Sequence, residues 1–193
     1  MIQKHKIQYD QNDLIIIDNL LNDKEITLSI NLIEKLKEIS KNNTKSDGKS
    51  FNYNTDFFNY RYPSHELSDL LYEKVKPHLS EFEDETGKWK PTKACNYIFM
   101  AKYNPNKKFN IHTDTGCYSE SDKRSTNTML IYLNDDFQGG ETSFYDLNFK
   151  HIISVKPKKG RAIIFNINLW HSGEEVKDNN KLWIGTEIVS KRL

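Results

Sequence analysis

The chain has 193 residues, with Lys plus Arg at 28 against Asp plus Glu at 27 and a net charge of +1, so it is long enough for one domain with a real core and lacks the basic excess that would point to a nucleic-acid partner. No apolar run approaches the roughly 18 to 20 residues of a membrane span, so no membrane partner is expected and a soluble, intracellular and by default cytoplasmic protein is the expectation. The only two cysteines, Cys95 and Cys117, form neither a disulfide framework nor a paired metal motif, and a reducing compartment is the easier fit.

In chain order, Leu14 to Ile17 is a short apolar strand candidate ended by Asp18-Asn19. From Asn22 or Asp23, either of which could cap a helix, Ile26, Ile30, Ile33 and Leu36 recur at helical spacing. Lys41 to Phe58 breaks that pattern with Asn, Thr, Ser, Asp and Gly and reads as a loop. A second helix can start at Ser64, with Leu67, Leu70, Leu71, Val75, Leu79 and Phe82 on one face and Pro77 kinking or dividing it. From Lys93 the texture changes to short strands separated by turn residues: Cys95 to Tyr103, Asn110 to Asp114, Thr128 to Leu133, Thr142 to Tyr145, Ile152 to Val155, Arg161 to Ile167 and Leu182 to Val189. The expected organisation is a single domain, with 1–90 as helical support and loop and 91–193 as a β-rich catalytic core. Gly139-Gly140 reads as a tight turn that touches no ligand.

Within that β-rich part, Phe109-Asn110-Ile111-His112-Thr113-Asp114 carries the chemistry. Side chains at i and i+2 of an extended strand share a face, so His112 and Asp114 can point at one place, and a later histidine, His171 in Leu169-Trp170-His171, can close a three-point grip. Two imidazoles and one carboxylate on one face of a metal, with the other positions open, suit a non-haem Fe(II) oxygenase. Lys181 opens the apolar stretch Leu182-Trp183-Ile184, and a cation there could hold the far carboxylate of a dicarboxylate whose near end chelates the metal.

The segment from Lys93 to Val189 resembles the prolyl 4-hydroxylase-like group of 2-oxoglutarate and Fe(II)-dependent dioxygenases. It carries, in the family's order, Tyr103, the metal pair, Leu130-Ile131-Tyr132-Leu133-Asn134, Gly139-Gly140-Glu141-Thr142, Pro157-x-x-Gly160-x-Ala162-x-x-Phe165, His171 and Lys181. The resemblance implies an α+β, mainly β fold, a double-stranded β-helix (jelly roll) with N-terminal buttressing helices. It makes His112, Asp114 and His171 the iron ligands, Lys181 the partner of the 2-oxoglutarate C5 carboxylate, and Tyr103 and Thr128 hydroxyls that help hold the co-substrate. Where some close relatives carry an arginine, this chain has Gly185.

The implied reaction hydroxylates an unactivated C–H bond and releases succinate and CO2, using Fe(II), 2-oxoglutarate and O2, with ascorbate as reductant. Its favoured target is prolyl or another residue in a peptide or protein. The alternatives are a free amino acid, a small metabolite or an alkylated nucleobase as substrate, or a metal-binding jelly roll without turnover. Only Lys191-Arg192 follows Lys181 near the end of the chain, which disfavours the nucleobase branch with its paired-arginine signature. Trp170 and Trp183 are candidates for shielding the site, with core burial as the competing role. The polar stretches Lys41 to Ser50 and Gly116 to Ser125 are expected to be loops that close over a bound peptide.

Overall fold

The computed structural model describes residues 3–9, 12–42 and 57–193. Its elements are β1 (Gln3–Tyr9), β2 (Asn12–Asp18), α1 (Asp23–Asn42), β3 (Phe57–Pro63), α2 (His65–Val75), β4 (Phe82–Asp84), β5 (Gly87–Ala94), β6 (Tyr97–Tyr103), β7 (Lys107–His112), β8 (Lys123–Tyr132), β9 (Thr142–Tyr145), β10 (His151–Val155), β11 (Ala162–Asn166), β12 (Trp170–Val176) and β13 (Lys181–Arg192). A 3-10 turn, Lys76–His78, follows α2.

Among the described residues, nine strands form one sheet in the order β1-β2-β11-β8-β13-β5-β4, with β6 joining β13 and β3 joining β6. A four-stranded sheet runs β10-β9-β12-β7. The strand β13 organises the whole. One of its edges pairs with β8, while the other takes β6 along Lys181 to Gly185 and β5 along Ile188 to Arg192.

The period of two along each strand divides the core into layers. Leu14 and Ile16 of β2, Tyr132 of β8, and Ile163 and Phe165 of β11 meet Phe144 and Val155 of the smaller sheet. Their neighbours Ile15, Ile17, Met129, Ile131, Ala162 and Ile164 face the other way and pack with Ile26, Ile33 and Leu36 of α1 and Leu71 and Val75 of α2. The large sheet is thus covered on both faces, which is why Leu14 to Ile17 is apolar without alternation. Each of the aliphatic side chains fully buried here, such as Ile17, Ile33 and Leu71, contributes about 1.5–3 kcal/mol through apolar burial. Two facing sheets with helices outside form the mainly β, α+β jelly-roll architecture that the resemblance implies.

Both helices begin where their caps dictate. The Asn22 side chain accepts from the Glu25 N–H (3.0 Å), and the Glu25 carboxylate accepts from the Asn22 N–H (2.9 Å), a capping box that selects Asn22 over Asp23 as the cap. The Ser64 hydroxyl caps α2 by accepting from the Leu67 N–H at 3.1 Å. α2 ends at Val75, so Pro77 falls in the 3-10 turn and Phe82 passes to β4. The helical face expected to run to Phe82 is therefore divided, because proline cannot donate within a continuing helix.

Several expectations need correction. Residues before 91 are more than helical support, since β1 to β4 and the first half of β5 join the same sheet as the later strands. Of the loop expected over Lys41 to Phe58, Lys41 and Asn42 end α1, Phe57 and Phe58 begin β3, and 43–56 lie outside the described residues, as does most of the supposed lid Lys41 to Ser50. The second supposed lid is shorter than expected, because Lys123 to Ser125 already belong to β8. The cysteines, expected to be unpaired, are joined as a disulfide with Cα atoms 6.7 Å apart. No described helix is long and apolar enough to cross a membrane.

Candidate metal centre and co-substrate cavity

Strands β7 and β12 are neighbours in the smaller sheet, and their register sets His112 opposite His171. The two rings lie 4.2 Å apart between centroids. Just beyond β7 the chain turns inward, tied by the Asp114 N–H donating to the Ile167 carbonyl at 3.1 Å. That tie puts the Asp114 carboxylate between the imidazoles, with Oδ1 3.7 Å from His112 Nε2 and Oδ2 3.7 Å from His171 Nε2. The three candidate donor atoms all lie within 4.8 Å of one another.

The tautomers follow from the partners. His112 Nδ1 is 2.8 Å from the Asn110 carbonyl and His171 Nδ1 is 2.8 Å from the Leu169 carbonyl. A carbonyl can only accept, so each Nδ1 carries the proton and each Nε2 presents its lone pair to the cluster. Burial holds the His171 pKa below the usual histidine range, with His112 adding to the effect and the Asp114 charge opposing it. His171 thus stays neutral, the form that coordinates a metal. Two imidazole nitrogens and a carboxylate oxygen fit Fe(II) and leave coordination positions free. The Thr128 hydroxyl donates to Asp114 Oδ2 at 2.5 Å, steering the carboxylate.

The cluster opens into a cavity of about 170 Å³ that runs to Lys181. Of the described residues lining it, Lys181 is the only lysine or arginine. Its side chain is buried at 2% exposure, its Nζ donates to the Gly140 carbonyl at 2.7 Å, and the rings of Tyr103 and Tyr132 lie 5.5 and 5.4 Å away. Burial pulls the Lys181 pKa down to about 8 against the attraction of Glu141 and Glu174. The nearby Arg161 is committed elsewhere, forming ion pairs with the buried Asp18 at 2.6 Å. Gly140 has φ +68, and a Cβ there would stand 2.8 Å from the Phe137 ring and 3.2 Å from the Lys181 chain. The Gly139-Gly140 turn, expected only to bend the chain, therefore also supplies the carbonyl that positions Lys181.

Tyr103 sits opposite Lys181 in the β6–β13 register and lines the cavity. Burial raises its pKa, partly offset by a hydrogen bond from Trp183. Trp183 is likewise a wall of the cavity, whereas Trp170 lies outside it and meets Phe149 edge-on. At Gly185 a Cβ would lie 2.5 Å from the Met129 carbonyl oxygen, so an arginine cannot replace this glycine without moving β8.

Phe99, Phe109 and Glu187 also line the cavity and were not singled out in the sequence. The signal for Glu187 was available, because Lys181, Trp183, Gly185 and Glu187 fall at every second position of one strand and all four face the site. Glu187 is 4% exposed, accepts from the Ser125 hydroxyl (2.8 Å) and the Cys117 N–H (2.6 Å), and has its pKa raised by burial. At the rim, the Arg61 guanidinium covers the rings of Tyr97 and Phe99 at 4.5 and 4.8 Å.

Against this geometry, residues 98–186 match the family model of the 2OG-Fe(II) oxygenase superfamily. The match covers just under half of the chain. A protein of Acanthamoeba polyphaga mimivirus named as a candidate prolyl 4-hydroxylase is 38% identical over 74 residues, 34% of this chain and 29% of that protein's length. Among solved structures, the viral collagen prolyl hydroxylase of Paramecium Bursaria Chlorella virus-1 superposes with TM-score 0.57 at 19% identity, covering 93% of this chain and 96% of that one. A prolyl hydroxylase from Trichoplax adhaerens, in complex with a hypoxia inducible factor oxygen degradation domain peptide fragment, gives TM-score 0.57 at 18% identity over 91% and 82% of the two chains. At these identities the structural likenesses establish the fold alone.

Proposed function

We propose that this protein is a 2-oxoglutarate- and Fe(II)-dependent dioxygenase that hydroxylates an unactivated C–H bond, in a prolyl or other residue of a peptide or protein. The observation that carries the reading is the His112, Asp114 and His171 cluster opening onto a cavity that ends at a buried lysine. Fe(II) held there supplies the O2 chemistry that converts 2-oxoglutarate to succinate and CO2 while one oxygen atom enters the substrate. His112 and His171 present Nε2 because backbone carbonyls hold their Nδ1 protons, and Thr128 keeps Asp114 in line. Lys181 offers a positive charge in a dry pocket, where it would pair with the C5 carboxylate and orient the keto acid toward the cluster. Phe165, whose ring meets His171 edge-on at 4.7 Å, and Trp183 keep water from the reacting centre. The peptide as substrate class is supported by the names of the relatives and by the peptide seen on the Trichoplax adhaerens enzyme.

The test is turnover of 2-oxoglutarate to succinate by purified protein with Fe(II), O2 and ascorbate, followed by a proline-containing peptide array read by mass for the gain of one oxygen atom. His171→Ala, which removes one of three ligands, should abolish both signals while leaving the circular-dichroism spectrum unchanged. Succinate formation by His171→Ala at the wild-type rate would sink the assignment.

A further inference from the structure

The second cluster of ligand-type atoms, Cys95, Cys117 and Glu187, has no part in the reading above, yet it adjoins the metal centre through Glu187 and through the chain segment that carries Asp114. Cys95 is fully buried between β5 and β6, and its N–H donates to the Glu187 carbonyl at 2.8 Å, so it is fixed to β13. Cys117 is only partly buried and lies in the connection from β7 to β8, three residues after Asp114. Between them, Gly116 takes φ +77, and a Cβ there would stand 3.1 Å from the Ser125 side chain.

We propose that the Cys95–Cys117 disulfide is a reversible tie whose state sets the order of the Asp114 segment and so tunes metal affinity at the neighbouring centre. The coupling to metal rests on the metal-centre reading given above; the tie itself does not. The physical case is one of anchoring. From Asp114 to Ser125 the segment is held by the Asp114 N–H on the Ile167 carbonyl, the Cys117 N–H on Glu187, the Ser125 N–H on the Tyr118 carbonyl and a bridge between Ser119 and Arg124. Besides the backbone running into β8, the disulfide is a second covalent link from that segment to the large sheet, across a sequence separation of 22. With the link cut, Asp114 must lose more freedom to bind, and a ligand held less firmly binds metal less tightly. The partly exposed Cys117 gives reagents access to the pair. Oxidation by a peroxide balances as two thiols and one hydrogen peroxide giving one disulfide and two waters: two S–H bonds break, one S–S bond forms, and the peroxide O–O bond takes the two electrons. A dithiol reductant reverses the step by thiol–disulfide exchange.

The experiment uses the full chain, reduced with a dithiol or oxidised with hydrogen peroxide, and reads three quantities: free thiols, Mn(II) affinity by calorimetry, and the rate of proteolysis within Gly116 to Ser125. The expected result is no free thiol after oxidation and two after reduction, with Mn(II) binding about tenfold weaker and cleavage faster in the reduced form. Cys117→Ser should match the reduced form and ignore the oxidant. Its partly exposed position makes it the safer variant for folding, and Cys95→Ala serves as a second. Two titratable thiols after peroxide would overturn the tie. A disulfide with equal Mn(II) affinity and equal cleavage in both states would overturn the coupling. A zinc equivalent bound by reduced protein, kept by His171→Ala and lost in Cys117→Ser, would reassign the cluster as a metal site and overturn the proposal. Absence of Mn(II) binding in both states would instead strike the metal-centre reading, with the thiol count still deciding the tie.

Discussion

Raising the pH tests the role of Lys181 without altering the chain. Its pKa is about 8 in the folded protein because burial disfavours the ammonium, against about 10.4 for an exposed lysine. If the ammonium pairs with a 2-oxoglutarate carboxylate, binding needs the charged form. At about pH 9 roughly a tenth of Lys181 remains charged, so co-substrate affinity should be about tenfold weaker than near pH 7, a loss of about 1.4 kcal/mol. Stability should move the other way. Below about pH 8 the lysine is protonated in both states and contributes no pH dependence; above it the unfolded chain binds a proton that the folded one does not, so folding strengthens, by about 2 kcal/mol toward pH 9.5. Tyr103 and Tyr132, whose hydroxyls burial pushes above the usual tyrosine range, begin to oppose this only at higher pH. The assay is calorimetric titration of 2-oxoglutarate into Mn(II)-loaded protein between about pH 7 and 9.5, paired with denaturant unfolding of metal-free protein. Lys181→Arg is the control, since a guanidinium stays charged throughout and should flatten both profiles, whatever its absolute affinity. A flat wild-type binding profile, or the same fall in Lys181→Arg, would refute the reasoning.

Three further outcomes follow from the geometry. Thr128→Val keeps the side-chain shape but removes the donor to Asp114 Oδ2; Mn(II) affinity should weaken about tenfold with the fold unchanged, and an unaltered binding isotherm would remove Thr128 from the metal centre. Gly185→Ala forces a Cβ to 2.5 Å from the Met129 carbonyl oxygen and should cost about 1–3 kcal/mol in denaturant unfolding; an unchanged midpoint would show that β8 and β13 can separate there at no cost. Asp18, held at a pKa of about 2 chiefly by the hydrogen-bonded Arg161 with help from Lys158, contributes about 2 kcal/mol of stability that is present above about pH 4 and lost as pH falls toward 2. Asp18→Asn should erase that part of the acid-unfolding profile, and a variant that retains it would assign the acid sensitivity to other carboxylates.

Local pattern sufficed in this sequence for the parts whose physics is local. The helical spacing of Ile26, Ile33 and Leu36 and the caps at Asn22 and Ser64 announce both helices. The two-residue period in His112-x-Asp114 announces a shared face, and Thr142–Tyr145 matches its strand to the residue. Strands whose environment is supplied by neighbours were not legible. β12, with His171, Gly173 and two glutamates, and β5, with Gly87 and Pro91, lack apolar alternation and exist because adjacent strands complete their hydrogen bonds. Likewise the motif names Asp114 and Lys181 but cannot say that Thr128 steers one or that the Gly140 carbonyl holds the other. Nothing in the spacing of Cys95 and Cys117 joins them; β13 does, by carrying Glu187 to the place where the β5–β6 and β7–β8 connections converge. Periodicity fixes which face a side chain occupies, because it follows from backbone geometry within one strand. Which distant face it meets is decided by sheet order and register, and these are set jointly by every strand in the stack.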